Sequence, residues 1–178
     1  ILKQLVDKTF PDLKVLISAG EAPSAEFMET FSQQCTVING YGPTETTVAA
    51  TAHHYRLGDV ITNVGKPIGN TKVYVLNDAL VPQPAGAVGE LFVSSPRLAR
   101  GYLNRPDLTE KAFVTNPFAT DEERAQGYDR IYKTGDLVRY LVDANANSNA
   151  NATEGGTSQS LSVERRAGQI NQLEYIGR

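Results

Sequence analysis

The amino-acid sequence predicts an α/β fold, in which a strand–helix–strand piece of an α/β layer precedes a small antiparallel, barrel-like β-rich subdomain. Two short apolar runs on either side of an amphipathic helical pattern predict the first piece. Short β-rich runs separated by Asn, Asp, Gly and Pro predict the second piece. The sequence pattern changes near residues 56–66 from strand–helix–strand to short β-rich runs. We therefore divide the chain into an α/β domain at 1–60 and a β-rich domain at 61–178.

The first piece begins with Val15–Ala19, a short apolar run that predicts a buried strand. Ser24 is suited to cap the helix that follows, and Phe27 and Phe31 mark the inner face of that helix. Thr36–Ile38 predicts a second strand. The order strand, helix, strand is typical of an α/β layer, whose ligands bind beyond the carboxyl ends of the strands.

The second piece contains β-rich runs at Lys72–Leu76, Gly89–Ser94 and Arg130–Lys133. Between them, Asp107 and Glu110 form a capping-box pattern, which predicts a short helix that ends near residue 113. The even spacing of short strands and turns indicates an antiparallel sheet or barrel.

A low-complexity stretch of Asn, Ala, Ser, Thr and Gly begins at residue 144. It offers little apolar surface to offset the ordering of its backbone, at ~1–2 kcal/mol per residue. We therefore predict a disordered insertion at about 144–171. It would join two strands of a hairpin, Leu137–Leu141 and Leu173–Ile176.

Composition excludes several classes of function. A net charge of -3 without a basic stripe argues against nucleic acid as a partner. No apolar run is long enough to span a bilayer, and no signal peptide is recognisable, so we expect neither membrane insertion nor secretion. One cysteine cannot form an internal disulfide, and with two histidines it does not make a Cys/His zinc site. We expect a reduced, cytoplasmic location. Because the sequence has no initiator methionine and stops at Arg178 without a tail, we also expect a segment of a larger protein.

The stretch Asn39–Glu45 follows the second predicted strand directly, where α/β sheets bind ligands. Its two glycines allow a flat ligand to approach the backbone, and Tyr41 offers a face for stacking. Thr44 offers a hydroxyl to a phosphate, and Glu45 offers a carboxylate to a hard divalent cation. The alternative interpretation is a polar turn that contains a structural tyrosine.

Four stretches occur together in an order that is characteristic of one family. They are Asn39–Glu45, Gly89–Val93 with Leu98–Pro106, Tyr132–Leu137, and Glu174–Arg178. Together they resemble the signatures of adenylation domains of nonribosomal peptide synthetases, in the adenylate-forming, AMP-binding superfamily. The chain resembles an internal piece of the large N-terminal lobe of such a domain.

The resemblance implies binding of ATP and Mg²⁺. It implies that Thr44 and Glu45 are catalytic, that Glu45 holds the metal, and that Asp136 and Arg178 contact the ribose. The full set of implied ATP and AMP contacts is Gly20, Glu21, Ala22, Asn39, Gly40, Tyr41, Gly42, Thr44, Asp136 and Arg178.

The resemblance also implies part of an amino-acid pocket, whose residues are Ile17, Ala19, Gly40, Val48 and Ala49. All five are apolar or small, so we expect a neutral aliphatic or aromatic substrate. The implied reaction joins ATP and the amino acid into aminoacyl-AMP and pyrophosphate, and then transfers the aminoacyl group to a phosphopantetheine thiol. Carrier-protein and condensation domains of the same synthetase are the implied partners.

The sequence departs from the family in that it contains neither the phosphate loop nor the lobe with the catalytic lysine. We therefore expect the isolated chain to be inactive, and exposed apolar seams to favour self-association. Two alternatives stay open: a piece of an acyl- or aryl-acid coenzyme A ligase, and a non-catalytic interaction module that retains the motifs.

Two further groups of residues have simpler interpretations. The arginines Arg97, Arg100 and Arg105 predict a solvated basic edge in preference to a phosphate site. His53 and His54 lack other candidate metal ligands nearby, so the sequence does not favour a metal site there.

Overall fold

A sheet of nine strands organises the part of the chain that the computed structural model describes, residues 5–141 and 172–178. The strand order is β1-β2-β3-β4-β9-β8-β6-β5, and β7 pairs with β8 off this path. The strands are β1 (Val15–Ser18), β2 (Thr36–Tyr41), β3 (Thr51–Tyr55), β4 (Asn63–Pro67), β5 (Lys72–Leu76), β6 (Val88–Ser94), β7 (Phe113–Thr115), β8 (Arg130–Tyr140) and β9 (Leu173–Gly177). The helices are α1 (Ala25–Ser32), α2 (Pro106–Ala112) and α3 (Asp121–Glu123).

The strand–helix–strand piece forms as the sequence predicts. β1 and β2 are parallel and α1 connects them, and the other strand pairs are antiparallel. The hydroxyl of Ser24 accepts a hydrogen bond from the backbone N–H of Phe27 at 3.2 Å, so it caps α1. Phe27 and Phe31 are buried with Val37 and Tyr55 in one cluster. The mixed α/β fold class is thus confirmed.

β1 is not the buried strand that its apolar sequence predicts. Val15 is 48% exposed and Ile17 is 65% exposed, and Ser18 is the buried residue of the strand. The reason is the position of β1, which forms the edge of the described sheet and pairs only with β2 there. An apolar run indicates that a strand tends to be buried, but its neighbours in space decide whether burial occurs.

The β-rich piece continues the same sheet. β4 pairs with β3 on one side and with β9 on the other, and the path runs on through β8, β6 and β5. Its core includes Val75, Leu91, Val93, Val138 and Leu173. The predicted hairpin is present as β8 against β9, and β8 is longer than predicted because it also includes the run at 130–133. The insertion predicted at 144–171 lies outside the described residues.

The predicted capping box at Asp107 and Glu110 is wrong. α2 begins at Pro106, so Asp107 already lies in the first helical turn, where its carboxylate bonds Arg105 at 2.9 Å. A capping box does form at Thr120 and Glu123 of α3, with reciprocal bonds of 3.3 and 3.2 Å. None of the helices in residues 5–141 and 172–178 is long and apolar enough to cross a membrane.

Gly65 in β4 provides a direct test of this packing. Its φ is +78°, and an added Cβ would collide with the carbonyl group of Ala52 on β3. We expect Gly65→Ala to lower the free energy of unfolding by at least ~2 kcal/mol, from the unfavourable φ and the overpacking. Urea unfolding of the chain measures this. Gly69→Ala is the control, since open space surrounds that position, and equal stabilities of the two variants would contradict the β3–β4 geometry.

Candidate functional site

The motif Asn39–Glu45 forms the end of β2 and the start of a 3₁₀ turn at Thr44–Thr46. Gly42 allows the chain to fold back tightly, because a Cβ there would lie 2.6 Å from the amide nitrogen of Ala50 and 2.7 Å from the carbonyl oxygen of Val48. The backbone N–H of Ala50 donates to the carbonyl of Tyr41 at 2.8 Å and closes the loop.

The return of this loop is strained. Thr47 and Val48 have φ values of +59° and +72°, which β-branched residues rarely adopt. The hydroxyl of Thr47 donates to the carbonyl of Arg97 at 2.6 Å, which anchors the strained segment. Such backbone conformations cost ~1–3 kcal/mol each and are concentrated at functional sites.

A buried carboxylate lies beside the motif. Asp136 is 7% exposed, and its Oδ2 accepts a hydrogen bond from the hydroxyl of Tyr41 at 2.6 Å. Its Oδ1 lies 3.2 Å from Nε of Arg178, whose Nη2 donates to the carbonyl of Thr134. Burial and the neighbouring carboxylate raise the pKa of Tyr41, so its phenol stays protonated and donates. We call Tyr41, Asp136 and Arg178 the Asp136 cluster.

A second carboxylate, Glu45, is held in the same part of the molecule. Its Oε1 accepts a hydrogen bond from the hydroxyl of Tyr102 at 2.6 Å, and the hydroxyl of Tyr132 lies 3.5 Å from that of Tyr102. Partial burial raises the pKa of Glu45, but hydrogen bonds, led by the one from Tyr102, more than offset it and leave that pKa below its usual value. Glu45 is therefore an anion at neutral pH. We call Glu45, Tyr102 and Tyr132 the Glu45 cluster.

The sequence did not single out Tyr102 and Tyr132, although both lie inside stretches that match the family signatures. Tyr102 is separated from Glu45 by 57 positions along the chain. No spacing rule could pair them, and the aromatic residues in those stretches were the only available signal.

The side chain of Asn39, by contrast, serves the interior. It is 4% exposed, and its Nδ2 donates to the carbonyls of Ile61 and Asn63 at 3.1 and 2.8 Å. This amide ties β2 to the start of β4. Both of its N–H donors are therefore engaged within the protein.

Three residues of the predicted amino-acid pocket lie together. A Cβ on Gly40 would be 3.5 Å from Cβ of Ala19 and 3.6 Å from Cγ2 of Ile17. Val48 and Ala49 lie against Gly42 instead, on the returning part of the loop. Val48 is 71% exposed. The structure thus provides an open apolar face next to a second apolar segment.

The remaining predicted contacts, Gly20, Glu21 and Ala22, form an exposed turn directly after β1. Because β1 and β2 are parallel, their carboxyl ends lie side by side, and this turn therefore lies next to the motif. An open groove of about 410 Å³ adjoins both clusters, since Tyr102 and Arg178 are part of its lining. The other lining residues are Glu90, Leu108, Lys111, Ala112, Lys133, Thr134 and Gly135.

Three of the five arginine and histidine side chains considered in the sequence bind other groups of the protein. Arg97 donates to the carbonyl of Gly69 and to Thr71, and Arg105 pairs with an aspartate of α2. His53 is buried, and its Nε2 lies 2.8 Å from Oδ2 of Asp59. Within residues 5–141 and 172–178, no group of three or more His, Cys, Asp and Glu could hold a metal ion.

A profile of the family described as AMP-binding enzyme matches residues 2–103, more than half of the chain. The chain belongs to the AMP-binding enzyme family. It is 48% identical over 143 residues to bacitracin synthase 3 of Bacillus licheniformis, and this alignment covers 80% of this chain and 2% of that protein. It is 45% identical over 140 residues to malpibaldin synthetase of Mortierella alpina, and this alignment covers 75% of this chain and 2% of that protein.

The structural comparison agrees. A crystal structure of the nonribosomal peptide synthetase FmoA3 superposes with a TM-score of 0.72 at 27% identity, over 99% of this chain and 17% of that one. A smaller relative, novobiocin biosynthesis protein H of Streptomyces niveus, is 44% identical over 133 residues, or 75% of this chain and 21% of that protein. The resemblance to adenylation domains of nonribosomal peptide synthetases is confirmed, and the chain spans a small part of the relatives it matches.

For a member of the AMP-binding family, the donor set can be tested against ATP and Mg²⁺. Glu45 is an ionised, half-buried carboxylate, and one of its oxygens is free of the Tyr102 bond. Mg²⁺ commonly binds through one or two carboxylates together with substrate phosphates and water, so a single protein carboxylate is sufficient. Within the described parts of the chain, the residues fit a metal that arrives with the nucleotide, and not a metal held by protein ligands alone.

The internal bonds of Asn39 generate a prediction about this family member. We expect Asn39→Ala to lower the free energy of unfolding by about 1–3 kcal/mol, because the carbonyls of Ile61 and Asn63 lose their donor inside the protein. Urea unfolding of the chain measures it. His54→Ala is the control, since His54 is exposed on β3, and an Asn39→Ala variant as stable as this control would contradict the assignment.

Proposed function

We propose that this chain forms the nucleotide-facing wall of an adenylation domain that activates a neutral aliphatic or aromatic amino acid. The observation that carries the proposal is the Asp136 cluster, because it presents a fixed, buried carboxylate next to the family motif. The Glu45 cluster supplies a second, ionised carboxylate in the same part of the molecule. Two prearranged carboxylates match the two tasks of gripping a ribose and of meeting a metal–phosphate group.

Asp136 would accept hydrogen bonds from the ribose hydroxyls. Each oxygen of a carboxylate has more than one acceptor site, so the bonds from Tyr41 and Arg178 leave capacity for the sugar. The bond from its hydroxyl fixes the ring of Tyr41, and that ring would stack on adenine. The exposed turn at 20–22 would border the base, with the backbone of residues 39–42 beside it. Arg178 would add a second ribose contact.

Glu45 and Thr44 would serve the phosphates. Thr44 is exposed at the start of the 3₁₀ turn, where its hydroxyl can donate to a phosphate oxygen. Bound together with the triphosphate, Mg²⁺ would neutralise part of its negative charge. Glu45 would present one carboxylate oxygen to that cation, and Tyr102 would hold the other oxygen.

The chemical step would be an in-line displacement. A carboxylate oxygen of the amino acid attacks the α-phosphorus of ATP, and the bond to the β-phosphate oxygen breaks to release pyrophosphate. Positioning and charge neutralisation dominate such reactions, so the described side chains would orient the reactants without forming covalent bonds to them. The phosphopantetheine thiol of a carrier-protein domain would then form a thioester with the aminoacyl group, as the acyl–phosphate bond breaks and AMP leaves with the thiol proton released.

The substrate class rests on the open face of β1 and β2. Ile17, Ala19 and Gly40 form a small apolar surface there, with Val48 and Ala49 beyond the motif. None of the five can pair with a charged side chain, and burying an unpaired charge against them would be costly. A neutral side chain therefore suits the site.

The rest of the machinery would come from further polypeptide. The chain covers 2% of the large relatives it matches and 21% of the smaller one. Val15 is exposed on the edge strand, which supports packing against additional chain. We propose that the isolated segment does not activate amino acids and tends to self-associate, and that carrier and condensation domains act with the complete protein.

Loss of the buried carboxylate tests the nucleotide site. In the full-length protein that carries this segment, we expect Asp136→Ala to raise the apparent KM for ATP by roughly tenfold to several hundredfold, because charge-assisted hydrogen bonds are lost. Pyrophosphate exchange into ATP measures it. Asp78→Ala, in an exposed turn, is the matched control, and an unchanged KM in the Asp136 variant would remove this assignment.

The substrate class is tested by the same exchange reaction across a panel of amino acids and carboxylic acids. We expect exchange with neutral aliphatic or aromatic amino acids and little with charged ones, because the proposed pocket wall is apolar. A response confined to fatty or aryl acids would favour a coenzyme A ligase. No response to any acid, with the protein folded, would favour a non-catalytic module.

A further inference from the structure

Tyr102 is held in place independently of the glutamate that it contacts. Its backbone N–H donates to the hydroxyl of Thr109 in α2 at 2.9 Å. Gly101 makes this approach possible, because its φ is +151° and a Cβ there would collide with Thr109. The ring of Tyr102 packs edge-on against Phe113, with centroids 5.8 Å apart. Backbone and ring together fix where the hydroxyl lies.

The loop that contains Ala99 and Tyr102 also holds the backbone of Glu45. The N–H of Ala99 donates to the carbonyl of Glu45 at 2.8 Å, and Tyr102 binds its side chain. A glutamate side chain has three rotatable bonds, and its ordering costs free energy unless a partner fixes it in advance. Tyr102 provides that partner at Oε1 and leaves Oε2 for a ligand.

We propose that Tyr102 is a positioning residue that fixes the Glu45 carboxylate for the divalent cation of the bound nucleotide. The proposal rests on the function proposed above and adds a residue to it. Tyr132 supports the arrangement, since its hydroxyl lies 3.5 Å from that of Tyr102 and its ring packs on Phe113 at 5.0 Å. The hydroxyl of Tyr102 that binds Glu45 is therefore held in place by its own backbone and by neighbouring aromatic rings.

A role in packing alone makes a different prediction. Tyr102→Phe keeps the ring and its contact with Phe113, and removes only the hydroxyl that binds Glu45. If Tyr102 only fills space, metal binding will not change. If it positions Glu45, the cation will bind less tightly while the fold and the binding of metal-free nucleotide stay the same.

The experiment measures Mn²⁺ binding to the full-length protein in the presence of α,β-methylene-ATP, with free Mn²⁺ followed by electron paramagnetic resonance. We expect Tyr102→Phe to weaken Mn²⁺ binding about tenfold, as for the loss of a hydrogen bond to a charged group. Tyr140→Phe is the matched control: it removes a phenolic hydrogen bond away from Glu45, from Tyr140 at the end of β8 to the carbonyl of Val73, and should leave Mn²⁺ binding unchanged.

A double-mutant cycle with Glu45→Gln sharpens the test. Glu45→Gln should weaken Mn²⁺ binding by itself, and Tyr102→Phe should then have no further effect, because the two residues act as one unit. Wild-type Mn²⁺ affinity in Tyr102→Phe, or additive effects of the two changes, would overturn the proposal. A wild-type protein that binds no nucleotide and exchanges no pyrophosphate would overturn the proposed function, and this inference with it.

Discussion

The carboxylate of Asp136 is buried between the hydroxyl of Tyr41 and the guanidinium of Arg178, and the candidate site is built around this contact. A buried carboxylate without partners would cost several kcal/mol, and the bonds from Tyr41 and Arg178 supply those partners. Because the three residues come from β2, β8 and the end of β9, the pairing also fixes how these strands meet. The carboxylate of the proposed nucleotide site is thus held in place by protein side chains.

The Glu45 cluster follows the same principle, in which a protein hydroxyl holds a carboxylate. Tyr102 binds one oxygen of Glu45, and hydrogen bonding outweighs the effect of partial burial, so that the pKa of Glu45 lies below its usual value. The adjacent loop is strained at Thr47 and Val48, and the hydrogen bond from the hydroxyl of Thr47 to the carbonyl of Arg97 anchors it. In both cases, folding orders side chains and a loop that would otherwise lose conformational freedom when a ligand binds.

Much of the fold could be predicted from local patterns. The capped helix α1 and the two strands around it were predictable because their apolar spacing and the cap at Ser24 are properties of neighbouring residues. The capping box at Asp107 was not, because Pro106 starts α2 one position early, and a box formed instead at Thr120 and Glu123. Burial of β1 was also misjudged, since it depends on neighbours in space.

The sequence by itself determined the family and the motif residues, since each signature is a contiguous string whose chemistry can be read from residue types. Only the tertiary structure decided which residues act together. Tyr41 meets Asp136 across 95 positions, a contact between two strands that depends on their register and on the face to which each side chain points. Glu45 meets Tyr102 across 57 positions, a contact between a 3₁₀ turn and a loop. The same folding buried Asn39, a motif residue, where its amide binds the carbonyls of Ile61 and Asn63.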